Sequence, residues 1–154
     1  MLKILRTNSN NKDFQRLVFE LNKALLNENI NVNVEIQKKY NKINIIDNID
    51  TVIIAYLDNI AVGCGCFRLY NDKIVEIKRM FVLPEKRKLG ISSLILEELE
   101  LWIKELEYKE ILLETGKNMI APINLYKKYG YQIIDNYGDY VNVDNSLCMK
   151  KIIS

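Results

Sequence analysis

Three apolar runs, separated by short polar groups, dominate the middle of the chain. They are TVIIAYL (51–57), IAVGCGCFRLY (60–70) and IVEIKRMFV (74–82). The groups between them, Asp58-Asn59 and Asn71-Asp72-Lys73, are rich in turn-forming residues. Runs of β-branched and aromatic residues joined by such turns predict an antiparallel meander of three strands.

Apolar residues recur at helical spacing in two other segments. The first predicts a helix from about Asn11 to Leu26, after a short strand at Leu2–Arg6. An Asn-rich stretch then predicts a short helix near Glu35–Tyr40. The second segment follows Pro84 and predicts a helix with Leu94 beside an apolar stripe formed by Ile91, Ile95, Leu99, Trp102 and Leu106.

The rest of the chain predicts three more strands and a helix. The strands are KEILLET (109–115), YQII (131–134) and SLCMKKII (146–153), and the helix is APINLYKKYG (121–130), ended by Gly130. The third meander strand, the helix after Pro84 and KEILLET form a β-α-β unit, which makes the two strands parallel. We therefore expect a single α/β domain over residues 1–154, an α+β mixed sheet in which an antiparallel meander precedes a parallel β-α-β crossover.

Composition rules out several kinds of site. The chain has no histidine, which excludes Ser-His-Asp and Cys-His catalysis and imidazole metal ligands, so no metal is expected. Cys64, Cys66 and Cys148 form neither a CxxC pair nor an even set, which favours buried structural thiols. A formal charge of +2 argues against a nucleic-acid partner.

The stretch MFVLPEKRKLGISSLIL (80–96) joins the third strand to its helix. A helix start offers unpaired N–H groups and the positive end of the helix dipole, so it suits an anion. Gly90 allows a ligand close to the backbone, and Lys86, Arg87 and Lys88 add charge. The segment predicts a pyrophosphate site; the alternative is a solvated turn whose glycine serves loop geometry.

The same residues resemble a known family. Arg87-Lys88-Leu89-Gly90-Ile91-Ser92 is similar to the Q/R-x-x-G-x-G/A signature of the GNAT acyltransferases, with FVLPE before it and NLYKKYGY after it. The resemblance spans about Thr51–Tyr131, and GCGCFR, VEIKRMFV, LLETG and SLCMKK resemble small, single-domain bacterial members. Ser92 stands where the signature usually has Gly or Ala, and Met119 and Pro122 depart from the pattern further on.

This resemblance implies the GNAT acyl-CoA N-acyltransferase fold, with acetyl-CoA as co-substrate and direct transfer to a primary amine. It places the CoA pyrophosphate on the loop and helix start, at Arg87, Lys88, Leu89, Gly90, Ile91 and Ser92. The pantetheine would pair with the strand end at Met80, Phe81 and Val82, where a backbone N–H at Phe81 or Val82 would hold the oxyanion. A further cofactor contact is carried over to Asn118.

The amine must lose a proton before it attacks. With a pKa of about 10, only about one amine in a thousand is unprotonated at neutral pH. Glu76 matches the family position that often carries the general base, and strand alternation places it on one face with Lys78 and Met80. Glu114, at the end of the neighbouring parallel strand, is the second candidate for the base or for ammonium binding. The alternative for both is an ion pair with Lys78 or Arg79.

Tyr126, in NLYKKYGY, matches the family's general acid, which protonates the departing thiolate. The alternative is a helix residue that packs on the sheet. The acceptor pocket is predicted to be lined by Phe67, Arg68, Glu114 and Tyr140, with Tyr137 near them. Arg68 suits an acceptor carboxylate, and the alternative is a surface ion pair.

We therefore expect an N-acetyltransferase acting on a small-molecule amine or an amino acid. The alternatives are a protein or peptide N-acetyltransferase and a non-catalytic acyl-CoA-binding module. The opening MLKILRTNSNNKDF lacks the apolar core of a signal peptide, and no run reaches membrane-span length. A cytoplasmic monomer or homodimer with no membrane partner is the expectation.

Overall fold

Seven strands and three helices make up the part of the chain described by the computed structural model, residues 1–28 and 48–153. In chain order they are β1 (Leu2–Thr7), α1 (Lys12–Glu28), β2 (Val52–Leu57), β3 (Ile60–Asn71), β4 (Ile74–Val82), α2 (Ile91–Glu105), β5 (Glu110–Gly116), α3 (Ile120–Lys128), β6 (Gln132–Ile134) and β7 (Ser146–Ile152). The helix predicted near Glu35–Tyr40 lies outside the described residues.

The strands form one mixed sheet in the order β1-β2-β3-β4-β5-β7-β6. β1 and β2, β2 and β3, β5 and β7, and β6 and β7 pair antiparallel, whereas β4 and β5 pair parallel. The parallel pair is the one that α2 connects, as the β-α-β pattern predicts. The predicted α/β fold class is confirmed.

The β2–β3 hairpin shows how local sequence sets this order. Asp58 and Asn59 both have positive φ, 49° and 68°. Two such residues between strands match the primed two-residue turn, whose twist fits paired strands. Asn and Asp tolerate this backbone better than other non-glycine residues.

The residues group into two compact units: 1–67 with 79–100, and 68–78 with 101–154. Both units draw residues from β3, β4 and α2. Each is described separately below, and the expectation of a single domain stays a prediction.

In the first unit, α1 packs Phe14 and Leu17 into a cluster with Ile54, Cys64 and Phe81. Gly63 and Gly65 serve another contact, with α2. A Cβ added at Gly65 would lie 2.6 Å from Met80 Sδ and 3.0 Å from Leu99 Cδ1. The two glycines therefore accommodate the helix, one of the two roles that an open strand face predicts.

The buried face of α2 differs partly from the predicted stripe. Ile91, Ile95 and Leu99 are buried as expected, but Leu106 is 48% exposed and Ile103 is fully buried. The helix ends at Glu105, so Leu106 falls beyond its last turn. The helical pattern was therefore extended one position too far.

The second unit is built around β5, which pairs with β7 along its whole length and with β4 over three residues. The parallel register runs from Ile74–Glu110 to Glu76–Leu112. α3 contributes the buried Tyr126 and ends before Gly130, whose φ is 91°. This left-handed glycine is the C-terminal stop that the sequence predicts.

Candidate active site

The predicted cofactor residues lie in the first unit, except Asn118. After β4 the chain makes a short 3₁₀ turn at Pro84–Lys86, and Arg87, Lys88 and Leu89 are exposed before α2 begins. Gly90 has a φ of 78°, which a glycine adopts at little cost. A Cβ built on Gly90 would meet nothing within 4 Å.

The backbone at the start of α2 is arranged to bind an anion. The Leu94 N–H donates to the Gly90 carbonyl, N···O 3.2 Å, which is the first bond of the helix. The N–H groups of Ile91, Ser92 and Ser93 precede it, and a helix leaves such first-turn groups without an intrahelical acceptor. The open space at Gly90 therefore adjoins backbone donors and the positive end of a helix dipole.

Arg87 is bonded to the strand that precedes it. Its Nε donates to the Val82 carbonyl at 3.1 Å, and its guanidinium carbon lies 5.9 Å from the centre of the Phe81 ring. Phe81 and Val82 are buried. Their side chains belong to the protein interior, so only their backbone atoms are suited to a ligand.

β4 is irregular at Arg79, whose φ is 61°. A left-handed residue inside a strand breaks the regular alternation of faces. Glu76 and Lys78 precede this irregularity and share a face as predicted, with Lys78 Nζ 4.0 Å from Glu76 Oε1. The alternation that would add Met80 to that face is interrupted at Arg79. Met80 contributes the sulfur nearest to Gly65, beside α2.

Glu76 is the centre of a charged cluster in the second unit. Its side chain is 2% exposed, and its Oε1 accepts a hydrogen bond from Arg68 Nε at 3.1 Å. Lys78 Nζ lies 4.0 Å from the same oxygen. The Tyr137 hydroxyl donates to Oε2 at 2.6 Å. The ion pair considered from the sequence is thus present, with Lys78 and Arg68 as the cations.

Tyrosines surround this cluster. Lys78 Nζ donates to the Tyr140 hydroxyl at 3.2 Å and lies 5.8 Å from the centre of its ring. Tyr137 packs edge-to-face against Tyr140 and against Tyr70, with ring centres 5.5 and 5.3 Å away. Burial, followed by the negative charge of Glu76, raises the pKa of both Tyr137 and Tyr140 above the usual phenol value.

Glu114 is the second carboxylate of this unit. It is partly buried on β5, opposite Cys148 of β7, and its Oε2 accepts a hydrogen bond from Ser146 Oγ at 2.5 Å. Burial raises the pKa of Glu114, while the Ser146 hydrogen bond and the Lys78 charge partly offset that rise.

Tyr126 lies on α3 and is buried, with its ring 5.6 Å from the Tyr131 ring in an edge-to-face contact. Burial raises the pKa of Tyr126, and the charge of Glu114 raises it further. A phenol in this setting stays protonated at neutral pH. Tyr126 thus packs against Tyr131, and its role as general acid stays a prediction.

The remaining predicted residues differ in their exposure. Phe67 is buried in the first unit, whereas Arg68 is half-exposed and held by Glu76. Asn118 is exposed just before α3. Their ligand contacts stay predictions.

Sequence reasoning did not single out Lys78, Ser146 or Tyr70 as site residues. Lys78 did carry a signal, since a lysine two positions from Glu76 in an apolar strand predicts a charged pair on one face. Ser146 and Tyr70 carried none.

The three cysteines, all in the described part of the chain, are buried and form no disulfide. Burial raises the pKa of Cys148 to about 11. Within residues 1–28 and 48–153, no three Cys, Asp or Glu side chains are grouped to hold a metal ion. The described helices are too short or too polar to cross a membrane.

Solved acyltransferase structures share this fold. A GNAT family acetyltransferase from Elizabethkingia anophelis, solved with acetyl-CoA bound, matches with a TM-score of 0.69 and 18% identity over 99% of this chain and 98% of that one. At that identity the likeness concerns the fold. The mixed sheet with α2 after β4 is thus a fold that this solved structure shares.

A family model described as an acetyltransferase (GNAT) domain matches residues 48–133, more than half of the 154 residues. The chain therefore belongs to the GNAT acetyltransferase family. The resemblance carried by residues 51–131 is confirmed.

Two curated relatives illustrate the range of similar proteins. The IAA acetyltransferase of Azospirillum brasilense is 33% identical over 100 residues, 64% of this chain and 65% of that protein. N-alpha-acetyltransferase 50 of Danio rerio is 31% identical over 91 residues, 56% of this chain and 54% of that protein. Across the first curated relatives, the matched region spans 30% to 65% of their own length.

Proposed function

We propose that this chain transfers the acetyl group of acetyl-CoA directly to a primary amine of a small molecule or amino acid. Family membership supports the reaction class. The observation that carries the donor assignment is the start of α2, where exposed Arg87 and Lys88 precede the open backbone of Gly90. Two cations, first-turn amides and space above a glycine together suit a pyrophosphate.

The donor is held mainly by backbone in this proposal. Arg87 to Ser92 bind the pyrophosphate, and the backbone of Met80, Phe81 and Val82 binds the pantetheine, with Asn118 as a further contact. Acetyl-CoA supplies an acyl carbon activated as a thioester. Arg87 Nε is bonded to the Val82 carbonyl, so a ligand N–H that binds this carbonyl shares it with Arg87.

The second unit supplies the proton chemistry. The carboxylates of Glu76 and Glu114 attract the acceptor ammonium and provide the group that takes its proton. Tyr126 keeps its proton at neutral pH and donates it to the departing thiolate. No covalent enzyme intermediate is needed, which agrees with the absence of histidine and with a Cys148 thiol whose pKa is raised to about 11.

Arg68 favours an acceptor that carries a carboxylate. Its bond to Glu76 uses Nε, so the two terminal Nη nitrogens remain to form a bidentate pair. Its side chain is 43% exposed, which gives a ligand access. An amino acid has the required ammonium and carboxylate. Tyr140 of the second unit is the other residue proposed to line this pocket, and an acceptor contact by Phe67 stays a prediction.

The direct test is acetyl-CoA turnover, measured by thiol release against amines, amino acids and peptides, with wild type beside Tyr126→Phe. We expect one acceptor class to be turned over, and the Tyr126→Phe variant to be about tenfold slower or worse. Binding of acetyl-CoA without turnover would favour the non-catalytic module. Absence of acetyl-CoA binding would refute the donor site.

The donor site has a sharper test in two glycines with similar backbones. Gly90→Ala forces a side chain into a left-handed conformation at the pyrophosphate loop, and we expect the KM for acetyl-CoA to rise about tenfold. Gly130→Ala introduces the same kind of strain after α3, and should leave that KM within about twofold. Equal KM values for the two variants would contradict the proposed loop.

Acetylation of peptide N-termini is the second candidate function. The similarity to N-alpha-acetyltransferase 50 of Danio rerio favours it. Turnover of several peptides, with no turnover of single amino acids or small amines, would establish it in place of the first.

A further inference from the structure

The two carboxylates of the second unit differ in how fully their oxygens are engaged. Glu76 uses both: Oε1 faces Arg68 Nε at 3.1 Å and Lys78 Nζ at 4.0 Å, and Oε2 accepts from the Tyr137 hydroxyl at 2.6 Å. Both oxygens of Glu76 are thus occupied by donors from the protein, so neither is open to the proton of an acceptor. Glu76 is therefore poorly suited to act as a base.

Glu114 has fewer donors. The hydrogen bond that its carboxylate makes within the described residues joins Oε2 to Ser146 Oγ, which leaves Oε1 available to a ligand. The half-buried position of Glu114 also excludes part of the water that would otherwise stabilise its charge. A carboxylate in this situation is a stronger proton acceptor than one at the surface.

We propose that Glu114, rather than Glu76, accepts the proton of the acceptor ammonium, and that Glu76 is a positioning residue that holds Arg68 and Tyr137. This inference rests on the acetyl transfer proposed above. It reverses the roles expected from the sequence, where Glu76 was the first candidate for the base. The raised pKa of Glu114, caused mainly by burial, is in the direction that a general base requires.

The step balances as a direct acyl transfer. One N–H proton passes to Glu114 Oε1, and the nitrogen lone pair that remains attacks the thioester carbonyl carbon. A C–N bond forms and the C–S bond breaks, with its electron pair going to sulfur. The thiolate takes a proton from Tyr126, the nitrogen gives its second proton to the resulting phenolate, and the products are an amide and CoA. Glu114 then releases its proton to water.

Several ionisable groups face Glu114 and influence its titration. They come from β4, α3, β7 and the turn before β7, and they are Glu76, Lys78, Tyr126, Tyr140 and Cys148. The tyrosines and Cys148 have raised pKa values, so they stay neutral from pH 6 to about 9. Within that range the charges that act on Glu114 are those of Glu76 and Lys78.

The test compares Glu114→Gln with Glu76→Gln, with Glu110→Gln as control on the same strand as Glu114. The measurement is kcat/KM from about pH 6 to 9.5, with the best acceptor found in the panel. We expect Glu114→Gln to lose about a hundredfold or more at neutral pH. That deficit should shrink as the pH approaches the amine pKa of about 10, because the acceptor then arrives unprotonated.

Glu76→Gln should instead show a deficit that hardly changes with pH, mainly in KM, since glutamine still accepts the Tyr137 hydrogen bond. Glu110→Gln should behave as wild type. A pH-dependent deficit in Glu76→Gln with a constant or absent deficit in Glu114→Gln would overturn the assignment. Absence of any wild-type turnover would instead count against the proposed function, before a variant is compared.

A second variant covers the case in which Glu114→Gln does not fold. Ser146→Ala keeps the carboxylate but removes its hydroxyl donor, so the pKa of Glu114 rises further. The acid limb of kcat/KM should then shift to higher pH. An unchanged limb would contradict a role for Glu114 as the base.

Discussion

The start of α2 and the cluster around Glu76 solve the problem of holding charge in opposite ways. At α2 the chain offers exposed backbone N–H groups and a glycine with open space, which costs the fold little. Around Glu76, a carboxylate and a lysine are buried together with hydrogen-bonding tyrosines, which is expensive unless every member has a partner. The first region therefore depends on backbone conformation, and the second on side-chain identity.

This contrast is tested most strongly by removing one charge from the buried cluster. Glu76→Leu leaves Lys78 buried without its carboxylate, and we expect a loss of about 3–5 kcal/mol in the free energy of unfolding. Glu76→Leu combined with Lys78→Met should recover much of that loss. Urea unfolding measures both, with Glu85→Leu as a surface control. A single-variant loss below about 1 kcal/mol would mean that water reaches the cluster.

In the first unit, adding a side chain at a buried glycine should destabilise the fold more than removing an exposed charge. Gly65→Ala places a Cβ 2.6 Å from Met80 Sδ and 3.0 Å from Ile95 and Leu99 atoms, and overpacking of this kind costs about 1–3 kcal/mol. Urea unfolding of Gly65→Ala and of Arg87→Gln measures the two free energies of unfolding. We expect that of Arg87→Gln to be close to the wild-type value. Equal losses would remove the distinction between the two regions.

The smallest expected effect is the pH dependence of stability due to Glu114. Since burial raises its folded-state pKa above the unfolded value, Glu114 favours folding fully at pH below the unfolded carboxyl value. That contribution is lost as the pH rises through the raised folded-state value. The stability of wild type relative to Glu114→Gln should therefore fall with rising pH, as measured by thermal unfolding at several pH values. A rise would show that hydrogen bonds and Lys78 outweigh burial.

The sequence predicted the strands and the three described helices because their signals are local. The 3.6-residue spacing in α2, the Asp58-Asn59 turn and the glycine at position 90 each act within a few residues. The cluster could not be predicted in the same way, because Tyr137 and Glu76 are 61 positions apart and Ser146 and Glu114 are 32 apart. The left-handed Arg79 also lacks a local signal, since arginine has no preference for that conformation.

The buried pair of Glu76 and Lys78 also limits which substitutions this sequence can accept during evolution. A single substitution at either position leaves the other charge buried without its partner. Each single substitution therefore lowers the stability of the fold. Replacing both residues by apolar ones would cost far less stability. When the two substitutions occur one after the other, however, the first produces a less stable protein. Stability therefore favours keeping both charges of the pair, whereas a single change at the exposed Lys88 or Leu89 leaves no buried charge without a partner.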